Sequence, residues 1–321
     1  MINAQNVVVF DQFGIPSFMV RFTKEQNKDL FPGGSAAVHP AFIIGGEEVD
    51  EIYISQYANT IVDGRAYSCP LQAPATSLNY EAAMAACFGK GDGWHLMTAA
   101  EYALVLHHSH RAGTLPHGNT SYGKYHGNPE ERGTRVSEDS GKTLTGSGPV
   151  TWTHDHTVHG VADLVGNVWE WNAGLRMMNG EIQIIQDNNA AAPHDYSHES
   201  PLWQPIQADG KTLKYGFTDE GEVKLTTKDV EEAWDGSRWE SVKSDVEAPE
   251  IVKALALMPT DSQDTKSVLY VDTEAERLPY RGGGWDHGSN AGLGALRLYG
   301  PRSIVSTNIG FRSAFYRKTG N

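Results

Sequence analysis

Short apolar runs near the start of the chain predict two paired strands. The runs cover residues 7–10 and 18–22, and the turn-forming residues 13–16 lie between them. Residues 32–35 (Pro-Gly-Gly-Ser) are typical of a linker. We therefore predict a small N-terminal β element over residues 1–38. It serves either as a mount for a larger assembly or as an ordinary edge hairpin.

Two amphipathic stretches further along the chain predict helices. Asn79 can cap a helix over Tyr80–Phe88 that buries its alanines. Thr98 and Glu101 have the spacing of a capping box, and the helix behind them is predicted to run to about His108. Two short strands are also predicted, at residues 42–44 and 51–57.

Two long stretches carry little regular patterning. Residues 110–150 are rich in Gly, His, Ser and Thr, which predicts a long excursion from the domain. Residues 176–275 alternate short apolar runs with acidic patches, and Glu181–Ile185 is the one obvious core strand there. We predict that this second stretch is an insertion, which either extends a binding face or covers the core.

Segment 281–315 combines a fixed frame with scattered residues of no common character. The frame is Arg281-Gly282-Gly283, Trp285, Gly288-Ser289, Ala291-Gly292, Ala295, Leu296, Leu298, Pro301-Arg302-Ser303 and Ile309-Gly310-Phe311-Arg312. Between the frame positions lie ten residues that share no polarity, size or charge: Gly284, Asp286, His287, Asn290, Arg297, Tyr299, Gly300, Ile304, Ser306 and Thr307.

Codon chemistry gives these ten variable positions something in common. Each residue can be encoded by replacing the two adenines of an asparagine codon, a change that cannot produce Lys, Glu, Gln, Met or Trp. Lys, Glu, Gln and Met are absent from the segment, although roughly five such residues are expected in a stretch of this length. The pattern predicts a surface diversified at adenine positions. The plain alternative is a Gly-rich terminal loop that lacks these residues by chance.

Composition and charge narrow the classes of function. The chain has 321 residues, a formal net charge of -14 and a pI of about 5.3, which disfavours binding to nucleic acid or to an anionic membrane surface. The N-terminus has no basic n-region and no apolar h-region, so we expect cytoplasmic synthesis without a signal peptide. Cys69 and Cys87 are the only cysteines and are expected to be reduced thiols.

Residues 160–171 (GVADLVGNVWEW) place two carboxylates around a Gly-containing turn. Asp163, Glu170 and the backbone carbonyls of such a turn can ligate a hard cation such as Ca²⁺. A structural turn packed by two tryptophans explains the same residues equally well.

Five motifs, in order, resemble those of the formylglycine-generating-enzyme-like branch of the C-type lectin fold. Residues 77–87 resemble its first helix, residues 94–102 its RLPTEAEWE segment and residues 166–171 its GNVWEW motif. Residues 281–283 and 308–312 resemble its closing RGG and NIGFR segments. More narrowly, the C-terminal frame resembles the variable proteins of diversity-generating retroelements, which use this fold to display a randomised surface for binding.

The resemblance implies an α+β protein with a C-type lectin fold, in which two helices pack on short antiparallel strands with much loop. The lectin-like domain would cover residues 39–321, with 176–275 as the insertion and 281–315 as the variable ligand-binding region. A structural Ca²⁺ is implied as well, held by these groups: Asp163, Glu170 and the backbone carbonyls of Gly166 and Val168.

The same resemblance argues against the enzymatic activity of that branch. Those enzymes hold copper with two cysteines shortly after the RGG segment, because soft thiolates select Cu(I). The corresponding positions here fall at about His287 and Gly292, and Ser313 replaces the cysteine of the closing segment. We therefore expect a binding protein and not an enzyme.

Two histidine-containing groups are weaker candidates for chemistry. Metal binding by His107, His108 and His110, with His117 nearby, is disfavoured because adjacent residues point to different sides of a helix, and we predict a solvated helix end. Asp286 and His287 could form a catalytic pair, but no third orienting group is evident.

The expected function is recognition of a variable protein or glycan ligand on a cell surface, at a phage tail or a similar displayed surface. Tyr299 is the expected anchor, and residues 1–38 are the expected connection to a virion. Two alternatives are a formylglycine-generating-enzyme-like oxidoreductase or sulfatase-modifying protein, and a Ca²⁺-dependent carbohydrate-binding lectin.

Overall fold

The computed structural model describes residues 5–260 and 267–317. The helices are α1 Asn27–Leu30, α2 Tyr80–Phe88, α3 Ala99–Ala112 and α4 Glu250–Ala254. The strands of the first half are β1 Gln5–Phe10, β2 Pro16–Thr23, β3 Ile43–Ile44, β4 Glu47–Glu48, β5 Glu51–Ser55, β6 Thr60–Val62, β7 Arg65–Tyr67, β8 Trp94–Leu96, β9 Lys124–Tyr125 and β10 Asn128–Arg132. Those of the second half are β11 Trp169–Trp171, β12 Leu175–Met178, β13 Glu181–Ile185, β14 Trp203–Pro205, β15 Gln207–Ala208, β16 Lys211–Thr212, β17 Lys214–Phe217, β18 Val223–Thr226, β19 Trp234–Arg238, β20 Lys243–Ser244, β21 Val268–Asp272, β22 Glu276–Gly282, β23 Gly292–Gly300, β24 Ile309–Phe311 and β25 Ser313–Tyr316.

Helices α2 and α3 begin at the predicted caps. The side chain of Asn79 accepts a hydrogen bond from the amide of Ala82, and α2 has the predicted bounds. Thr98 and Glu101 form the predicted capping box, with both reciprocal hydrogen bonds present. Helix α3 is one turn longer than predicted and ends where Gly113 adopts a left-handed conformation (φ 68°).

The N-terminal hairpin is the edge of a five-stranded antiparallel sheet with the order β1-β2-β5-β25-β8. Strand β2 pairs with β5, so the hairpin is not separate from the rest of the fold. This edge position is compatible with both roles that the sequence left open, the mount and the ordinary edge hairpin. The C-terminal strand β25 lies between β5 and β8 and therefore joins both ends of the chain in one sheet.

The second sheet has twelve strands and includes much of the stretch predicted to be an insertion. Its main path is β19-β21-β23-β22-β12-β13-β17-β18-β20, and β11, β14 and β24 pair beside it. The prediction that residues 176–275 hold no core strands beyond β13 is therefore wrong. Strand β21 pairs directly with β23 of segment 281–315. The strands of this stretch are short and separated by acidic turns, so the sequence pattern did not predict them.

The main hydrophobic core encloses α3, which contributes buried residues to it together with strands of both sheets. His107 and His108 are buried in this environment, at 0% and 2% exposed, so the prediction of a solvated helix end is wrong. The ring of Phe31 packs on His107 and that of Phe22 packs on His108. Burial lowers the pKa of His107 well below its ordinary value, although backbone carbonyls of residues 253 and 254 accept from its ring.

The architecture is thus α+β, with mostly sheet, few helices and much loop, which is compatible with a C-type-lectin-like fold. None of the helices in the described ranges has the length and apolarity that crossing a membrane requires.

Candidate functional site

Strand β11 brings three of the sequence motifs together. Its residues come from the GNVWEW motif, and they pair antiparallel with β22, which ends in the RGG segment. On its other side, β11 pairs in parallel with β24 of the NIGFR segment. Segment 281–315 is therefore anchored at both ends on the same short central strand.

An ion pair locks this junction. Both carboxylate oxygens of Glu170 accept hydrogen bonds of 2.6 Å from the guanidinium of Arg312, and both side chains are buried. Arg312 also donates to the backbone oxygens of Ser55 and Ala162, at 2.8 and 3.0 Å. The guanidinium thus links both sheets and the loop before β11.

The residues predicted to hold Ca²⁺ do not fit that role. Glu170 is already neutralised by Arg312, and one oxygen of Asp163 accepts from the amide of Gly146 at 2.7 Å. Burial raises the pKa of Asp163 to about 6, against the hydrogen bond from Gly146 and the charge on Arg312. Within the ranges that the structure describes, no group of three or more His, Cys, Asp or Glu side chains could hold a metal ion. Gly166 and Val168, whose carbonyls are the two other predicted ligands, are both buried, and Gly166 has a φ of 72°.

The glycines of the RGG segment are required by backbone geometry. Gly282 and Gly283 have φ values of 93° and 94°, which side chains disfavour. A Cβ at position 283 would lie 2.8 Å from the Cα of Ala291, so any side chain there would prevent the close packing of these two backbone segments. The turn places Trp285, whose amide donates to the Asn167 oxygen.

Strand β23 separates the frame from the variable positions by simple alternation. Leu296 and Leu298 are fully buried, whereas Arg297 and Tyr299 are half-buried on the opposite face. Ile309 and Phe311 of the frame are buried as well, whereas Trp285 is half-buried.

Arg297 stands in a cage of four aromatic rings. Its guanidinium carbon lies 4.1 Å from the ring centre of Tyr299 and 5.0 to 5.9 Å from three further ring centres. Those three belong to fixed residues: Trp169, Tyr270 and Tyr280. Each contact lies within the distance at which a cation is attracted to an aromatic face. The cage gives the surface a rigid aromatic floor with one positive charge at its centre.

His287 and Asp286 border this cage. The indole N–H of Trp169 donates to Nε2 of His287 at 3.3 Å, and Nδ1 of His287 lies 2.9 Å from Asp286 Oδ1. Burial lowers the pKa of His287, more than the neighbouring Asp286 raises it. The amide of Gly284 also donates to Nδ1 at 3.2 Å, so both ring nitrogens of His287 already have partners and the Nε2 lone pair is engaged by Trp169. This geometry does not favour the alternative of a catalytic pair.

The loop with the first variable positions is braced by the excursion over residues 110–150. The backbone oxygen of Trp285 accepts from the amide of Tyr122, and the amide of Gly288 donates to the oxygen of Thr120. From the predicted insertion, Arg238 donates to the Ser289 oxygen at 2.9 Å and the Tyr270 hydroxyl accepts from Asn290 at 3.3 Å. Both irregular stretches of the sequence therefore support the site.

The loop after β23 is held by one arginine of the frame. Arg302 donates to both oxygens of Glu276, at 2.7 and 2.9 Å, and to Glu81 at the start of α2, at 2.8 Å. Arg176 approaches the same Glu276 carboxylate at 2.9 Å. Burial raises the pKa of Glu276, but the two guanidinium groups outweigh that effect and lower it to about 2.

The ten variable residues line the two loops and the outer face of β23. Asp286 and Thr307 are exposed; His287, Asn290, Arg297, Tyr299, Ile304 and Ser306 are half-buried; Gly284 and Gly300 are buried. Gly300 departs from the expectation that variable residues point outward, because a Cβ there would lie 2.9 Å from the ring of Tyr280. A larger residue at position 300 needs a movement of that ring.

Sequence reasoning missed the aromatic floor of this surface. Tyr270 lies in the predicted insertion, and Tyr280 stands just before the RGG segment, outside the frame. Neither has a motif of its own. The signal that could have found Tyr280 is its position in the strand that ends in RGG, where alternate residues share a face.

Comparisons with known proteins give distant structural likeness. No protein-family model and no curated protein sequence matches the chain. PvdO from Pseudomonas aeruginosa is 15% identical with a TM-score of 0.40, over 97% of this chain and 98% of that one. Treponema denticola variable protein 1 is 12% identical with a TM-score of 0.37, over 97% and 98%. The Major Tropism Determinant U1 variant is 12% identical with a TM-score of 0.35, over 98% and 72%.

Proposed function

We propose that this chain is a variable ligand-binding protein of the diversity-generating-retroelement type, which presents segment 281–315 on a C-type-lectin-like scaffold. One observation carries the proposal: eight of the ten residues that codon chemistry marks as variable are exposed or half-buried on the outer face of β23 and on its two flanking loops. Most of the apolar frame residues between them are buried: Ala291, Ala295, Leu296, Leu298, Ile309 and Phe311. Chance omission of four residue types from a Gly-rich loop does not account for this separation.

The surface in this chain favours a ligand with an aromatic or anionic group. Tyr299 offers a large ring with few rotatable bonds, and Arg297 beside it offers a positive charge. Asp286 on the adjacent loop supplies a negative charge that selects for orientation. The ligand class that we propose is a protein or glycan on a cell surface, reached by a virion component such as a phage tail. The N-terminal hairpin is the proposed connection.

The enzymatic alternative lacks its reactive groups. No cysteine follows Cys87 in the sequence, so the two thiolates that bind copper in formylglycine-generating enzymes have no counterpart after the RGG segment. Ser313, which replaces the cysteine of the closing segment, is buried and hydrogen-bonded to Ser55 at 3.0 Å. The resemblance to formylglycine-generating enzymes therefore covers the motifs of the scaffold and not the cysteines that carry out the reaction.

Sequencing of the DNA that flanks the gene tests the proposal directly. We expect a near copy of the codons for residues 281–315 that differs only where the copy carries adenine. The differences should fall at the ten variable positions. A copy whose differences ignore adenine, or the absence of any copy, would remove the basis of the proposal.

A pair of displayed libraries tests the same idea on the protein. One library randomises the ten variable positions with codons ending in a pyrimidine, and the matched library randomises ten frame positions in the same way. We expect most members of the first library to resist protease and most members of the second to be degraded, because surface substitutions cost little stability. Equal loss of folded members in both libraries would contradict the assignment.

A further inference from the structure

A small cavity lies outside segment 281–315, beside Asp163, which stands three residues before the GNVWEW motif. The cavity has a volume of about 160 Å³ and is lined by Asp163, Tyr57, Trp152 and neighbouring loop residues. A cavity of ~150 Å³ accepts a molecule of the size of benzene. The site is therefore large enough for roughly six non-hydrogen atoms.

Two polar groups in this cavity lack partners in the described part of the chain. Asp163 is only 2% exposed, and its Oδ2 accepts from the Gly146 amide at 2.7 Å, but no hydrogen bond reaches its Oδ1. The hydroxyl of Tyr57 likewise has no hydrogen bond. A donor supplied by a ligand at Oδ1 would add a charge-assisted hydrogen bond to this largely buried carboxylate.

The remaining walls are aromatic and aliphatic. The indole N–H of Trp152 donates to Glu131 at 3.2 Å, which leaves the ring system as the face available to the cavity. Pro149, Val150, Val158 and Ala162 add further apolar lining. The two other polar side chains, Gln56 and Thr153, donate to backbone oxygens of the surrounding loop. Apolar walls around one carboxylate and one hydroxyl suit a ligand with a cationic end and a short hydrocarbon body.

The backbone is arranged to keep this shape. Asp163 has φ 59°, a left-handed conformation that is uncommon outside glycine. Gly146 and Gly148 leave room for the rings of Tyr57 and Trp152, which a Cβ at either glycine would strike. The carboxylate is thus held at the cavity by its own backbone and not by an ion pair.

We propose that this cavity binds a short-chain primary alkylammonium group, with the ammonium on Asp163 Oδ1 and the Tyr57 hydroxyl and the hydrocarbon chain against Trp152 and Val158. The group can come from a free amine or from the lysine side chain of another protein. The site is independent of segment 281–315, so variation there leaves it intact.

Calorimetric titration of the full chain with n-butylammonium chloride tests the proposal. We expect saturable binding at neutral pH, no binding of n-butanol, and a loss of roughly tenfold or more in affinity for Asp163→Asn, the size expected of a hydrogen bond to a charged group. Tyr57→Phe should weaken binding severalfold. Asp139→Asn, which removes an exposed carboxylate and changes the net charge equally, is the matched control and should bind as the parent does.

Three outcomes would overturn the proposal: no saturable binding of n-butylammonium, equal binding of n-butanol, or unchanged affinity in both pocket variants. Melting temperatures establish that each variant is folded, and Tyr57→Phe keeps the test decisive if Asp163→Asn does not fold. A parallel titration with Nα-acetyl-lysine amide separates the two sources. Binding of both probes indicates a lysine side chain, and binding of the free amine alone indicates a small molecule.

Discussion

The two faces of strand β23 carry residues of the same segment in opposite environments. On one face, Leu296 and Leu298 are fully buried in the main core; on the other, Arg297 and Tyr299 are half-buried over an aromatic floor. Because side chains of a strand alternate, a single strand can hold fixed and variable positions one residue apart. We therefore expect a residue's tolerance to substitution to depend on which face of β23 it occupies and not on its position along the segment.

Two arginines on paired strands show the same contrast. Arg281 of the frame is fully buried and donates to the oxygens of Leu255 and Ala256, both at 3.0 Å. The guanidinium group of Arg297 instead contacts four aromatic residues, and it also hydrogen-bonds Tyr280. Arg281 thus satisfies two backbone carbonyls of another segment, whereas Arg297 lies in a cage of aromatic rings at the surface. Five predictions test this division, from the largest expected effect to the smallest.

Removal of the buried ion pair should have the largest effect. Arg312→Met leaves the Glu170 carboxylate buried without a counter-charge, and we expect a loss of about 3–5 kcal/mol in the free energy of unfolding. Urea denaturation measures this loss. Arg132→Met, which breaks an exposed pair with Glu130, is the control and should cost at most about 1 kcal/mol. Similar losses in both variants would show that Arg312 is not the lock of the junction.

Neighbouring glycines at the start of the segment should differ sharply. Gly283→Ala forces a Cβ onto a backbone with φ 94° and against Ala291, and we expect a loss of about 1–3 kcal/mol. Gly284→Ala should be nearly neutral, because its Cβ would meet His287 at 3.2 Å and that side chain is itself variable. Thermal unfolding of the two variants measures the difference. A tolerated alanine at 283 would contradict the frame assignment.

The Glu276 cluster should make stability depend on pH. The folded-state pKa of Glu276 is about 2, below its ordinary value of 4.5. Its contribution is therefore fully present above about pH 4.5 and is lost as the pH falls through 2. We expect Glu276→Gln to cost roughly 1 kcal/mol at neutral pH and to flatten the decline in melting temperature between pH 4.5 and 2. Exposed Glu274→Gln is the control and should leave the decline unchanged.

Substitution at a variable position should cost little. Tyr299→Ala removes a half-buried ring that contacts Arg297, and we expect a loss of about 0.5–1 kcal/mol. Leu298→Ala, one residue away on the buried face, should cost about 2–5 kcal/mol. Differential scanning calorimetry of the pair compares the two faces directly. Equal losses would mean that the alternation does not separate function from core.

The sequence predicted those elements of the fold whose formation depends on residues close together in the chain. The caps at Asn79 and Thr98 gave both longer helices their starts, because a capping side chain acts within one turn. The burial of His107 depends on rings and carbonyls from distant segments, which no local pattern contains. Codon chemistry marked the ten positions of the proposed surface, but it could not predict Tyr270 in the aromatic floor, which arrives through the pairing of β21 with β23.

At Glu170 the sequence pattern and the structure favour different roles, and chelation distinguishes the two. A carboxylate in a Gly-containing turn is typical of calcium ligands, but both of its oxygens here accept from Arg312, some 142 residues away in the chain. We therefore expect that a chelator, or added Ca²⁺, shifts the melting temperature by nothing measurable, since only a ligand bound to the folded state raises it. A chelator that lowers the melting temperature would mean that the ion pair gives way to a cation, and the junction between β11 and β24 would then be a metal site.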